Sequence, residues 1–162
     1  MAQPLKNAPS LYERDFHEWT RDQGRAVAER RIADIDWANV AEEIESLGRS
    51  DKHAIRSFMR NLLQHLAKWE HQPEKRKYGW KATIDEARIR IDAIIEDSPS
   101  LRDHPRETME WAWRHGRRAA ALEMRRPLES FPELCPYGIE DVLDVAFWPG
   151  VEWTEDTVAD ES

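Results

Sequence analysis

The chain holds a single cysteine, Cys135, so no disulfide can close within it and no all-cysteine metal site can be built. It has no apolar run near the roughly 18 residues that would span a bilayer, so no membrane partner is expected. Its opening residues, MAQPLKNAPS, lack an apolar signal core, and a cytoplasmic protein with one inert thiol is the expectation. A glycine-rich phosphate loop, a nucleophile elbow and a zinc-protease motif are also missing. So is any Glu-x-x-His pair of the di-iron bundle type. The six histidines, at 17, 53, 65, 71, 104 and 115, are scattered, and the Glu13/His17 pair has no further ligand beside it in the chain. No metal and no cofactor is expected.

What is present is a chain of 162 residues, long enough for one domain with a sizeable core. Hydrophobic residues make up 40% and charged residues 35%, which fits a globular chain with a highly charged surface. The net charge of −8 is unevenly spread. Residues 151–162 hold Glu152, Glu155, Asp156, Asp160 and Glu161 and no base, so residues 1–150 read as one helical domain and 151–162 as an acidic, mobile tail. Between Arg49 and Arg90, by contrast, eleven Lys and Arg face five Asp and Glu.

The organising stretch runs from Asp36 to His71. Its apolar residues Trp37, Val40, Ile44, Leu47, Ile55, Phe58, Leu62, Leu66 and Trp69 recur at helical spacing, with one gap across Asp51. The eleven-residue steps Ile44–Ile55 and Leu47–Phe58 are close to three whole turns, so the stripe keeps its phase through Gly48. The spacing predicts one helix about 52 Å long against which the others pack; a break at Gly48 is the alternative. Asp36 reads as its cap, with Ile35 and Val40 as a hydrophobic staple.

Before it, Ser10-Leu11-Tyr12-Glu13 reads as a capping box opening a helix with Tyr12, Phe16, Trp19, Gln23 and Val27 on one face. After it, Pro73 stops the long helix. A third helix carries Trp80, Ile84, Ala87, Ile91 and Ile95 and ends at Ser98-Pro99. A fourth presents Met109, Trp113, Gly116, Ala120 and Met124, where small residues allow a close neighbour, and Pro127 ends it. LESFPELCPYG reads as an extended loop wrapped over the bundle, and Ile139–Phe147 as a short last helix. The fold class is all-α: an antiparallel bundle of four main helices around the long one. Most of the eight tryptophans are expected in its core.

The strings LYERDFHEWT, DWANVAEEIESLGRSDKHAI, LLQHLAKWEHQP, GWKATIDEARIRI, SPSL and FPELCPYGIEDVL resemble a bacterial family labelled domain of unknown function 29, over roughly Leu11–Phe147. That resemblance implies an all-helical fold and no established activity. Arg60-Asn61-Leu62-Leu63-Gln64-His65 is similar to the Arg-to-His signature of the HEPN superfamily, helical proteins among which are metal-independent ribonucleases acting as dimers. In that reading His65 moves a proton at the ribose hydroxyl and Arg60 neutralises the phosphate. On one helix the two side chains stand ~140° apart, so a solvated Arg60 and a hydrogen-bonded core-edge His65 are the competing reading.

Arg49, Lys52, Arg56 and Arg60 form a basic stripe, followed by Lys75, Arg76, Lys77 and Lys81 interleaved with Tyr78 and Trp80. Cations beside aromatic faces suit phosphate contact with base stacking, so a nucleic acid or other anion is a candidate partner. An ordinary solvated face paired internally is the plainer reading. The function expected first is a non-catalytic interaction module that self-associates into a homo-oligomer or takes a protein partner. The alternative is an RNA- or anion-binding protein, or ribonuclease, using Arg60 and His65.

Overall fold

A computed structural model of the chain describes residues 9–150 and Thr154. The acidic tail thus falls outside the described residues apart from Thr154, as does most of the N-terminal arm. Six α-helices are present: α1 (Leu11–Arg14), α2 (Phe16–Ala28), α3 (Trp37–His71), α4 (Tyr78–Asp97), α5 (His104–Met124) and α6 (Ile139–Leu143). No strand occurs among the described residues. The chain divides into two compact units, residues 1–49 and 50–162, with the division inside α3.

In the first unit, Ser10 and Glu13 close the capping box of α1, but that helix lasts one turn. The single helix expected from Leu11 to Val27 is interrupted at Asp15, whose carboxylate accepts the Glu18 N–H at 2.9 Å and starts α2 afresh. A short polar side chain that caps its own downstream backbone competes with helix continuation. Tyr12, Phe16 and Trp19 cluster edge-to-face and stacked, with centroids 4.8–5.7 Å apart. Gln23 is buried and ties the entry to α3: its Nε2 donates to Asp34 O at 3.3 Å, and its Oε1 accepts the Asp36 N–H at 2.7 Å. Asp36 caps α3 by accepting from the Asn39 N–H, and the Asn39 side-chain amide bonded to it holds its pKa below the usual carboxylate range. The Tyr12 hydroxyl donates to Glu43 of α3, which pushes its pKa up to about 12.

α3 runs 35 residues without a break at Gly48. Its apolar stripe has two different fates. From Ile55 onward Leu62, Leu66 and Trp69 are buried, joined by Met59 and Leu63. Trp37, Ile44 and Leu47, on the same stripe, are 59%, 64% and 71% exposed, the uncovered apolar surface expected of a helix that outreaches its neighbours.

In the second unit, residue pairs give the helix directions. Lys52 O meets His104, Arg56 stacks on Trp111, the Arg60 carbonyl faces Gly116, and Lys68 pairs with Glu123. Both numbers rise together, so α5 runs parallel to α3. α4 runs antiparallel to both, its start at Trp80 lying under Lys68 near the end of α3. Short proline-opened 3-10 turns at Pro73–Lys75 and Pro99–Leu101 make the reversals. Gly116 sits where α5 meets α3: a Cβ there would lie 2.9 Å from Arg60 O and 3.1 Å from Gln64 N. α5 ends at a left-handed Arg125, just before Pro127.

The segment after α5 does wrap the bundle. The Trp113 indole N–H and the Arg117 guanidinium both donate to Pro132 O at 3.1 Å, and Tyr137 donates to Glu70. The last helix is shorter than expected. It stops at Leu143 because Asp144 turns extended and its carboxylate accepts the Ala146 N–H. Of the eight tryptophans, Trp19, Trp69, Trp80, Trp113 and Trp148 are buried, Trp111 is half-buried and Trp37 is exposed.

Candidate functional site

Two surfaces stand out, one in each unit. The first is the N-terminal half of α3. Trp37, Val40, Ile44 and Leu47 step by three, four and three, which puts them on one helix face. Three of the four are exposed and Val40 is half-buried. The seam is flanked by Ala41 and Gly48, and a Cβ at Gly48 would meet nothing within 4 Å. The first unit as a whole buries little: Trp19, Ala26 and Ile35 are its buried hydrophobic residues among those described, while Phe16, Val27 and Ile32 are exposed besides the α3 residues. Apolar side chains in this unit therefore lie more outside than inside, the reverse of an ordinary domain.

The second surface is the outer edge of the α3–α5 pair. The Arg56 guanidinium lies 4.4 Å over the Trp111 ring, whose centroid is 4.3 Å from that of His115. Arg56 also donates to His53 Nδ1 at 3.1 Å. Arg60 is exposed, and its guanidinium donates to the neutral Asn61 side chain at 3.0 Å. Arg114, His115 and Arg118 are exposed on α5.

The residues singled out from sequence are distributed rather than gathered. His65 is half-buried, its Nδ1–H donates to Asn61 O at 2.9 Å, and burial pushes its pKa down. Arg60 and His65 thus hold different partners and share no hydrogen bond. Arg49 pairs with Glu45 at 3.5 Å, while Lys52, Lys75 and Lys77 are exposed. Arg76 is turned inward: its Nε donates to Trp69 O at 2.8 Å, satisfying one of the last carbonyls of α3, and its guanidinium lies 5.1 Å over the Trp69 ring. Lys81 pairs with Asp85 and lies 5.5 Å over Trp148.

Several polar contacts were not read from sequence. Lys68, nearly buried, meets Glu123 and lies 4.5 Å over Trp80, while Gln64 donates to the other Glu123 oxygen at 2.6 Å. Arg88 donates to Val142 O at 2.9 Å and Phe147 O at 3.0 Å, fastening the C-terminal segment to α4. Burial lowers the pKa of Arg88, and desolvation followed by the Glu70 bond drives that of Tyr137 up. These contacts hold the second unit together, and Arg88 also lines a pocket of about 350 Å³ with Ile91, Asp92 and Leu143. Only the cationic edge of α5 had a legible signal, the lack of any carboxylate from Trp111 to Leu122.

Among the described residues no three His, Cys, Asp or Glu side chains converge as a metal site, and no helix is long and apolar enough to cross a membrane. No curated protein and no solved structure matches the chain. A family model does, over residues 11–148, nearly all that the two units describe: the chain belongs to the family described as domain of unknown function DUF29.

Proposed function

We propose that the chain is a non-catalytic interaction module that pairs with a second copy of itself through the exposed seam Trp37–Val40–Ile44–Leu47. The observation that carries this reading is the exposure of three large apolar side chains on one face of an unbroken helix. A three-four-three step is the spacing with which one helix packs against another. It also reads the same in both directions, so a two-fold-related copy presents apolar groups to apolar groups with only one surface required. Ala41 and Gly48 beside the seam leave room for a partner helix to come close.

The energetics suit a moderate affinity. Covering the exposed part of these side chains recovers roughly 1–2 kcal/mol each, or about 6–12 kcal/mol for the six of a pair. Association costs about 4–15 kcal/mol in lost freedom, so only the upper end of that gain leaves a surplus, at most about 8 kcal/mol, and pairing no tighter than micromolar is expected. The setting proposed is the cytoplasm, since the sole cysteine offers no disulfide within the chain and burial raises the pKa of its thiol.

Light scattering over a range of concentrations tests the reading. The wild-type chain should gain mass toward a dimer, while the double variant Ile44→Asp/Leu47→Asp should stay monomeric with its helicity unchanged. A wild-type chain that stays monomeric at tens of micromolar overturns self-pairing. So does a double variant that still dimerises.

A further inference from the structure

Charge in the second unit is sorted. Residues 52–69 of α3 and 111–122 of α5 contain no carboxylate. The close approach at Gly116 lays these two stretches side by side. Arg56 and Arg60 face outward from α3, and Trp111, Arg114, His115 and Arg118 fall within an arc of ~100° on α5.

None of the four arginines is neutralised within the chain among the described residues. Arg56 rests on a ring and a histidine nitrogen, and Arg60 on a neutral amide. Arg114 and Arg118 are exposed and enter no ion pair among the described residues. Elsewhere in the same unit Lys68, Lys81, Arg90 and Arg106 each hold a carboxylate. A chain of net charge −8 has carboxylates to supply, yet the one within a turn of this edge on α5, the exposed Glu110, forms no ion pair with any of the four arginines among the described residues.

We infer that this edge binds single-stranded nucleic acid. Guanidinium groups take phosphate oxygens in paired hydrogen bonds and hold them better than point charges do. The Trp111–His115 pair adds ring surface beside the cations, and bases stack on such surfaces with little regard to sequence. The phosphates would lie on Arg56, Arg60, Arg114 and Arg118, with a base against His115 and Trp111. A bilayer surface fits less well. An interfacial helix needs several apolar side chains projecting beside its basic ones, and this edge of α5 offers only Leu122 and the half-buried Trp111. The inference is independent of self-pairing, which uses a different face in the other unit.

The test is fluorescence anisotropy of the full chain with labelled oligouridine or oligothymidine of ~20 nucleotides, long enough to span an ordinary single-strand site. Four phosphate contacts give a slope of about −2.8 in log affinity against log salt, so tripling the salt should weaken binding about 20-fold. Arg114→Glu/Arg118→Glu should lose at least about tenfold and bring the slope to about −1.4. Lys75→Glu/Lys77→Glu makes the same charge change at exposed residues outside the edge and should stay within about twofold of wild type, as rim charges away from the contact do. Circular dichroism should show both double variants as helical as wild type. Preference for the uridine or thymidine strand tells RNA from DNA, and either supports the site. Failure of both strands to bind at tens of micromolar overturns it. Equal loss in both double variants, or binding to phosphatidylserine vesicles with no binding to either strand, overturns it too.

Discussion

Replacing glycine by alanine should have opposite effects at two positions of this molecule. Both Gly48 and Gly116 lie inside helices, where the exchange favours the helix by about 1 kcal/mol. At Gly48 a Cβ meets nothing within 4 Å, so Gly48→Ala should stabilise by that amount. At Gly116 the new methyl would stand 2.9 Å from Arg60 O and 3.1 Å from Gln64 N, both backbone atoms that yield only if α3 and α5 separate. Overpacking of this kind costs about 1–3 kcal/mol, and toward the upper end where backbone must move. Set against the helix gain, Gly116→Ala should destabilise by roughly 1–2 kcal/mol. Urea unfolding of dilute protein, followed by far-UV circular dichroism, reads the difference. With a slope near 2 kcal/mol/M, midpoints of the two variants should lie about 1 M or more apart. A Gly116→Ala chain as stable as Gly48→Ala would refute the close α3–α5 crossing, and a destabilised Gly48→Ala would refute the unbroken helix.

Other outcomes follow from the same packing. Leu62 is fully buried, so Leu62→Ala should cost roughly 2–5 kcal/mol in urea unfolding. Arg56, stacked on Trp111, should cost about 0.5–1 kcal/mol on truncation to alanine, more than a free surface arginine. Glu123→Ala removes the acceptor of Lys68 and Gln64 and should cost roughly 1–3 kcal/mol, whereas Lys68→Met, which keeps an apolar chain on Trp80, should cost less. His65 has a folded-state pKa below that of the unfolded chain, so the unfolded state binds the extra proton. Stability should fall as pH drops below about 6.5 toward the folded-state pKa, and His65→Gln should flatten that part of the pH–stability curve.

Helix ends were largely legible because prolines mark them: Pro73, Pro99 and Pro127 each follow a helix as expected. The continuity of α3 was legible from the phase of its stripe across Gly48. What covers that stripe was not, since periodicity shows that a helix has an apolar face and not whether a neighbour lies on it. Ile55 and Leu62 are covered; Ile44 and Leu47 are not. The break at Asp15 is not legible, because a single aspartate inside a helical pattern is common and only its cap geometry reveals the restart. Arg76 and Arg88 are cations turned inward onto backbone carbonyls, and nothing in a one-dimensional charge pattern separates them from Lys75 or Arg90. The cationic edge needed the third dimension as well. Arg56 and Trp111 are 55 positions apart and meet only because Gly116 lets α5 settle against α3.

The most direct test of the pairing proposed for α3 is an isotope-filtered NMR experiment on a mixture of labelled and unlabelled chains. Methyl groups of Ile44 and Leu47 in one copy should show nuclear Overhauser effects to Trp37, Val40, Ile44 or Leu47 of the other. A dimeric sample whose intermolecular contacts arise from other residues, with these methyls still facing solvent, would contradict it.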